Sequence, residues 1–419
     1  MKPVFGRGQV PEGLRDVLFE EAAARRELEG RLLETYRRWG YREVATPTLE
    51  LLDAVLPGAG GLVQDELYKL IDRRGRILAL RPDMTTPIAR LAGTHLTAYP
   101  LPLRLGYSAP VFRYQDQGNG RPHEVWQSGV ELVGAGGAES DAEVIALAAE
   151  ALHSAGLRSF ALSLSHSRIL PGIMEQCQVA PEARPRLRQA LVDRDLVGYG
   201  QAVRELGLPA GRQALMLMPT ALLEARQAAQ LLEHELQQAE ALQAVAEVRR
   251  VLSLLDQYGP GLPVQFDLGL TRGLDYYTGI IFEAYAPGSG FAVAGGGRYD
   301  RLLRAFGEDL PATGFALDLD LLLSILMRTR EAASRSGLDL VIAAEAGQEA
   351  QAFARAQAFR RAGRAVVVWT GDAAGAAEFA ARQGAQCVLL DALGGELAPP
   401  ASRNRAGGRP LLTTTAGIH

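Results

Sequence analysis

The chain has 419 residues, 47% hydrophobic and 22% charged, with a formal net charge of −4. That length predicts two to three domains around proper cores, and the charge excludes the basic footprint of a general nucleic-acid binder. No apolar run reaches the ~18 residues of a membrane helix, and the start lacks the apolar stretch of a secretory signal.

Two distant cysteines, Cys177 and Cys387, fit a reducing compartment and no metal site. The expectation is a cytoplasmic protein with no metal, no cofactor and no membrane contact. Apart from Lys2 and Lys69 every basic side chain is arginine, which excludes most lysine-dependent chemistry.

Residues 17–40 carry apolar positions at helical spacing and close on Gly40, which predicts a helix with a glycine C-cap. Residues 41–55, YREVATPTLELLDAV, read as a strand. Pro47 inside it cannot donate to a ladder, which puts the strand at an edge or against another surface. ELYKLIDR, RILALRPD, LRLGYSAPVFRYQ and HEVWQSGVELVG follow as short β segments and predict a meander. A helix over 139–155 leads to the strand SFALSLSH. Residues 181–258 are rich in Ala, Leu, Gln and Arg with apolar positions three and four apart, which predicts a helical insert. Strands return at VQFDLGL, YYTGIIFEAYA and FAVAGGGRYDRLL, and a helix over 316–329 closes a core domain spanning 1–329. Residues 330–337 read as a linker. Beyond them, 338–419 hold a β-α-β-α-β alternation that predicts a small parallel or mixed sheet.

Four polar constellations stand out. In HEVWQSGVE, strand alternation points Gln127, Gly129 and Glu131 to one face, the outer two ~13 Å apart. A bare glycine between two hydrogen-bonding side chains makes a floor for a small polar molecule, or else a solvated outer face with a glycine bulge. On the preceding strand Arg113 and Gln115 share a face; an arginine there can clamp a carboxylate or phosphate, or simply form a surface ion pair. In RPDMTTPIAR, Asp83 and Thr85 offer oxygens to an ammonium group, while the same residues form a fair helix start. TRGLDYYTG gathers Arg272, Tyr276 and Tyr277, suited to an acid group and a ring nitrogen, or to an edge strand with exposed tyrosines. AGGGRYD matches neither common nucleotide-binding glycine loop.

In chain order, PEGLRD, TPTLE, LRPDMT, FRYQ…GRPHEVWQSGVE, RGLDYYTG, GGGRYD and PATGFALDLD resemble the catalytic core of class II histidyl-tRNA synthetases over about residues 8–325. The resemblance implies an α+β fold: an antiparallel sheet flanked by helices, with the TPTLE region helping form a homodimer. It implies that Asp83, Thr85 and Gln127 hold a histidine ammonium group, Glu131 and Tyr277 the imidazole nitrogens, and Arg272 the carboxylate, with Arg113 and Tyr276 beside them. Residues 338–395 resemble a shortened anticodon-binding domain, with no basic stripe to track a phosphate backbone, so tRNA is not the expected partner.

The departures from the synthetases are specific. Gln115 stands where they carry a glutamate that helps hold ATP, and Leu321 stands where they carry a phosphate-binding arginine. Asp318 and Asp320 add negative charge nearby. Losing a charge-assisted hydrogen bond costs about 1.5–3 kcal/mol, which argues against productive ATP activation. LRPDMT, YYTGIIFEAY and GFALDLDLLL are instead close to the ATP phosphoribosyltransferase regulatory subunits, synthetase-like proteins without catalytic residues of their own. That resemblance implies a role in the first step of histidine biosynthesis, feedback control by bound histidine, and a hetero-oligomer with a short-form catalytic subunit, a hetero-octamer in the better-known cases. An active histidyl-tRNA synthetase is the alternative.

Overall fold

Leu28, Leu32 and Tyr36, four residues apart, are buried along one side of the helix Phe19–Arg38. Glu20 and Glu21 in its first turn and Arg37 and Arg38 in its last complement the helix dipole. Gly40 ends it at φ +83°, a left-handed conformation that glycine adopts without strain, and Tyr41 N–H returns to Tyr36 O. The structure, a computed structural model, describes residues 9–58, 65–114, 122–221, 223–259, 262–270, 276–329, 338–344, 347–370, 372–390 and 396–397.

The strands of the larger unit are β1 (Arg42–Glu43), β2 (Leu49–Leu51), β3 (Lys69–Ile71), β4 (Ile77–Leu80), β5 (Leu103–Phe112) and β6 (Glu124–Val133). They continue with β7 (Ala161–His166), β8 (Leu223–Glu224), β9 (Val264–Phe266), β10 (Ile280–Tyr285), β11 (Ala294–Arg298) and β12 (Ala312–Asp318). Nine of them form one sheet in the order β1-β5-β6-β12-β11-β10-β7-β9-β8. Its pairings are antiparallel except β1 with β5 and β7 with β9. One face packs under the helices Phe19–Arg38, Ala138–Ala155, Ala239–Tyr258 and Leu319–Thr329, where the main apolar core lies. Across β5, β6 and β12 the other face carries a smaller core with Tyr107, Tyr299 and the helix Thr85–His95.

Three sequence expectations are corrected. Residues 41–55 are not one strand: β1 joins the large sheet, β2 joins a separate sheet in the order β2-β4-β3, and Pro47 lies in the break between them. The meander is likewise two hairpins in two sheets, because the helix Thr85–His95 intervenes between β4 and β5. The helix expected from 316 begins at Leu319, since residues 312–318 form a strand paired on both sides. An apolar run of that kind suits a buried strand as well as a helix. The stretch 181–258 is mostly helical and also contributes the edge strand β8.

The chain folds as two compact units, Met1–Arg330 and Glu331–His419. In the second unit β13 (Leu340–Ala344) lies between β14 (Val366–Trp369) and β15 (Gln386–Leu390), all parallel, with β16 (Glu396–Leu397) antiparallel to β15. The helices Glu349–Arg361 and Ala373–Arg382 pack separate apolar clusters onto this mixed sheet. Among the described residues no helix is long and apolar enough to cross a membrane.

Candidate functional site

Gln127, Gly129 and Glu131 share the face of β6 that the helix Thr85–His95 and the turn Leu302–Phe306 cover. Glu131 is only 1% exposed, so a solvated outer face is excluded there. The β5–β6–β12 register runs unbroken through Gly129, so there is no bulge either. A Cβ at Gly129 would fall 2.0 Å from Phe315 O and 2.6 Å from the Tyr107 hydroxyl. The strip expected to be bare is filled by Tyr107.

Beside it opens a cavity of about 40 Å³, room for a few water molecules. Asp83, Thr85, Arg113, Gln127, Tyr276 and Tyr277 all line it. Glu131 lies just behind that lining: Thr85 Oγ1 donates to Glu131 Oε1 at 2.8 Å, and the Tyr299 hydroxyl donates to Oε2. Arg272 and Gln115 fall outside the described residues. The structure adds Tyr299, Gly297 and Gly314, which the sequence reading did not single out. A Cβ on Gly314 would sit 1.8 Å from Glu131 Oε2, and one on Gly297 2.9 Å from the Tyr277 ring. Their glycines keep room for those two side chains. The run of three glycines at 295–297, inside a strand, was the available signal of something packed close.

Asp83 takes the helix-start role that the sequence offered and also lines the cavity. Its Oδ1 accepts from Thr86 N at 2.8 Å at the start of the helix Thr85–His95, and its side chain faces the cavity. Arg113 lines the same cavity while its Nε donates to Pro82 O at 2.8 Å. Tyr276 hydrogen-bonds Thr85 and packs edge-on to Tyr299, their centroids 5.8 Å apart.

The electrostatics follow from burial. Desolvation pushes the Glu131 carboxyl up to about 8; the hydrogen bonds from Tyr299 and Thr85 oppose this, and the neighbouring Asp83 charge adds to it. Burial also raises Asp83, against the Thr86 amide and the Arg113 charge. The phenols of Tyr107, Tyr276 and Tyr299 lie well above the usual range, again through burial, and stay protonated. The pocket thus offers two buried carboxyls and hydroxyls to a small ligand rich in hydrogen-bond donors.

The divergent positions 318, 320 and 321 are structurally occupied. Leu321 packs against the main core, and its N–H donates to Asp318 Oδ1 at 2.9 Å at the start of the helix Leu319–Thr329. Asp320 Oδ2 accepts from Trp126 N at 2.9 Å, and its Oδ1 lies 3.5 Å from Arg15. Arg25 sits 4.5 Å over the Trp126 ring. All three side chains serve the join between helices and sheet.

The histidyl-tRNA synthetase family model matches residues 13–322. An ATP phosphoribosyltransferase regulatory subunit of Symbiobacterium thermophilum is 45% identical, over 99% of this chain and 98% of its own length. Its counterpart in Moorella thermoacetica is 43% identical, over 92% and 98%. Among solved structures, an ATP phosphoribosyltransferase regulatory subunit/histidyl-tRNA synthetase from Bacillus halodurans superposes with TM-score 0.81 at 32% identity, covering 92% of this chain and 98% of that one. The histidyl-tRNA synthetase of Nostoc, 19% identical with TM-score 0.76, covers 93% and 92% and shares the fold.

Proposed function

This chain belongs to the ATP phosphoribosyltransferase regulatory subunits, a family built on the histidyl-tRNA synthetase fold, and from that premise we propose that it binds histidine in the β6 cavity and conveys feedback to a phosphoribosyltransferase catalytic subunit. The observation that carries the reading is the convergence of Asp83, Thr85, Gln127, Tyr276 and Tyr277 on one cavity with Glu131 immediately behind it. They come from three separate stretches of sequence, 83–85, 127–131 and 276–277, brought together by the fold.

Asp83 suits the ligand's ammonium group, Glu131 and Tyr277 its ring, and Arg272 its carboxylate. Thr85, shared between Glu131 and Tyr276, is the side chain that a ring entering beside Glu131 would displace. Leu321 removes the cation that would hold a triphosphate, and its packing in the core supports a subunit with no aminoacylation chemistry of its own. A ligand shifts an equilibrium only through differential affinity for its states, and such a pocket supplies that affinity. The unit 338–419 is read as a shortened anticodon-binding domain that meets the partner rather than tRNA.

Histidine should raise the melting temperature of the purified protein, by up to about 2.7 kcal/mol of added stability at a hundredfold excess over Kd. Asp83→Asn keeps an acceptor for the Thr86 amide but loses the charge, and should weaken binding by roughly tenfold or more. A variant that melts and responds like wild type would remove Asp83 from the site. The partnership has its own check. Mixed with a short-form catalytic subunit from the same organism, the protein should elute as a larger species with raised phosphoribosyltransferase activity; separate elution would count against it.

A further inference from the structure

The buried carboxyl of Glu131 has no cation against it among the described residues. Among those residues its two oxygens meet the hydroxyls of Thr85 and Tyr299, and a side chain at Gly314 would collide with Oε2. The groups that face it are Asp83 from the turn before the helix Thr85–His95, Tyr107 from β5, Tyr276 from the turn before β10 and Tyr299 from the turn after β11; Tyr41 also feels its charge. Arg113 is the one described cation of the cavity wall, its charge acts on Asp83, and its Nε is committed to Pro82 O. Burial and the neighbouring Asp83 charge therefore favour the neutral acid at Glu131.

We propose that Glu131 meets the ligand as a carboxylic acid and passes its proton to a ring nitrogen, so that the pocket selects its amino acid by the basicity of the ring as well as by shape. The inference rests on the histidine reading of this site and adds what decides between rings of one size. In the neutral acid the proton sits on Oε1 and is accepted by Thr85 Oγ1, whose own hydrogen turns to Tyr276; on binding it leaves Oε1 and joins the unprotonated imidazole nitrogen. An imidazolium–carboxylate pair forms, and no proton is exchanged with solvent. Thr85 releases Oε1 to the ring and keeps its bond to Tyr276, while Tyr299 continues to donate to Oε2. A ring of the same size but low basicity cannot take the proton, and would leave a neutral acid facing it. That match is weaker than a charge-assisted pair.

Calorimetric titration of the full-length protein tests this with histidine and 1,2,4-triazolylalanine, which has a similar outline and a much weaker ring base. Wild type should prefer histidine by at least about tenfold, and Glu131→Gln, which cannot ionise, should narrow the preference to less than about threefold. Infrared difference spectra on adding histidine should show the protonated-carboxyl stretch disappear in wild type and no such loss in Glu131→Gln. Equal affinity for the two ligands in wild type, or an unchanged preference in the variant, overturns the proposal while leaving histidine binding intact. If the variant binds neither ligand, the wild-type infrared signal decides alone. If wild type binds neither, the histidine site itself is refuted and this inference falls with it.

Discussion

Glu131→Gln should abolish a loss of stability that the wild-type protein undergoes as pH rises from mildly acidic to mildly basic. The carboxyl's folded value of about 8 lies above its ordinary 4.5, so the native state holds this proton more tightly than the unfolded chain. The associated stability is fully present below about pH 4.5 and is lost as pH rises through about 8; a gap of that size is worth about 5 kcal/mol. Glutamine has nearly the same shape, remains neutral throughout and still accepts a hydrogen bond. The stability difference between the two proteins should therefore swing by up to about 5 kcal/mol in favour of glutamine between pH 4.5 and 9, read from urea midpoints of matched samples. Titrating groups that do not interact with Glu131 cancel in that difference. A gap that stays constant across the range would mean that Glu131 is ionised in the fold at every pH, and would remove the basis for a neutral acid in the pocket.

Much of this site was legible because its chemistry depends on local spacing. Strand alternation alone put Gln127 and Glu131 on one face, and the Asp-x-Thr-Thr-Pro start of a helix put the Asp83 carboxyl at a turn that both caps the helix and lines the cavity. What spacing could not supply was cover. Nothing near Glu131 in sequence says that residues 85–95 and 302–306 will fold over it, and without that cover its carboxyl would titrate as an ordinary surface acid. The same limit explains the fold errors. Whether YREVATPTLELLDAV is one strand or two depends on which distant edges pair with Arg42 and with Leu49. An apolar run such as GFALDLDLLL becomes strand up to Asp318 only because β6 and β11 flank it. Tyr299 escaped notice because its task, donating to a carboxylate 168 positions away, leaves no local pattern.

The small sheet β2-β4-β3 faces the wrong way for a monomer, and that inversion carries the prediction about assembly. On a sheet with one wet side the polar residues should look outward. Here the register places Leu49, Leu51, Leu70, Leu78 and Leu80 on one face, and Glu50, Lys69 and Ala79 on the other. Glu50 points inward, buried, and binds Arg90 at 2.7 Å, while Leu49, Leu51 and Leu70 are 43–45% exposed. Ile71 and Ile77 pair at the hairpin end on the opposite face, with Lys69 and Ala79, and add nothing to the leucine surface. A second copy of the chain, meeting the same face about a two-fold axis, would bury it. Because these leucines are already exposed in the protomer, Leu51→Asp with Leu70→Asp should leave the fold and its circular dichroism nearly unchanged. In the dimer the pair removes four leucines whose remaining exposed surface is worth about 0.7–1.3 kcal/mol each on burial. Sedimentation equilibrium should therefore find a wild-type dimer and a doubly substituted monomer, with association weakened by roughly two orders of magnitude or more. Unaltered association of the double variant would place the dimer contact elsewhere, and a monomeric wild type would leave the leucine face to a different partner.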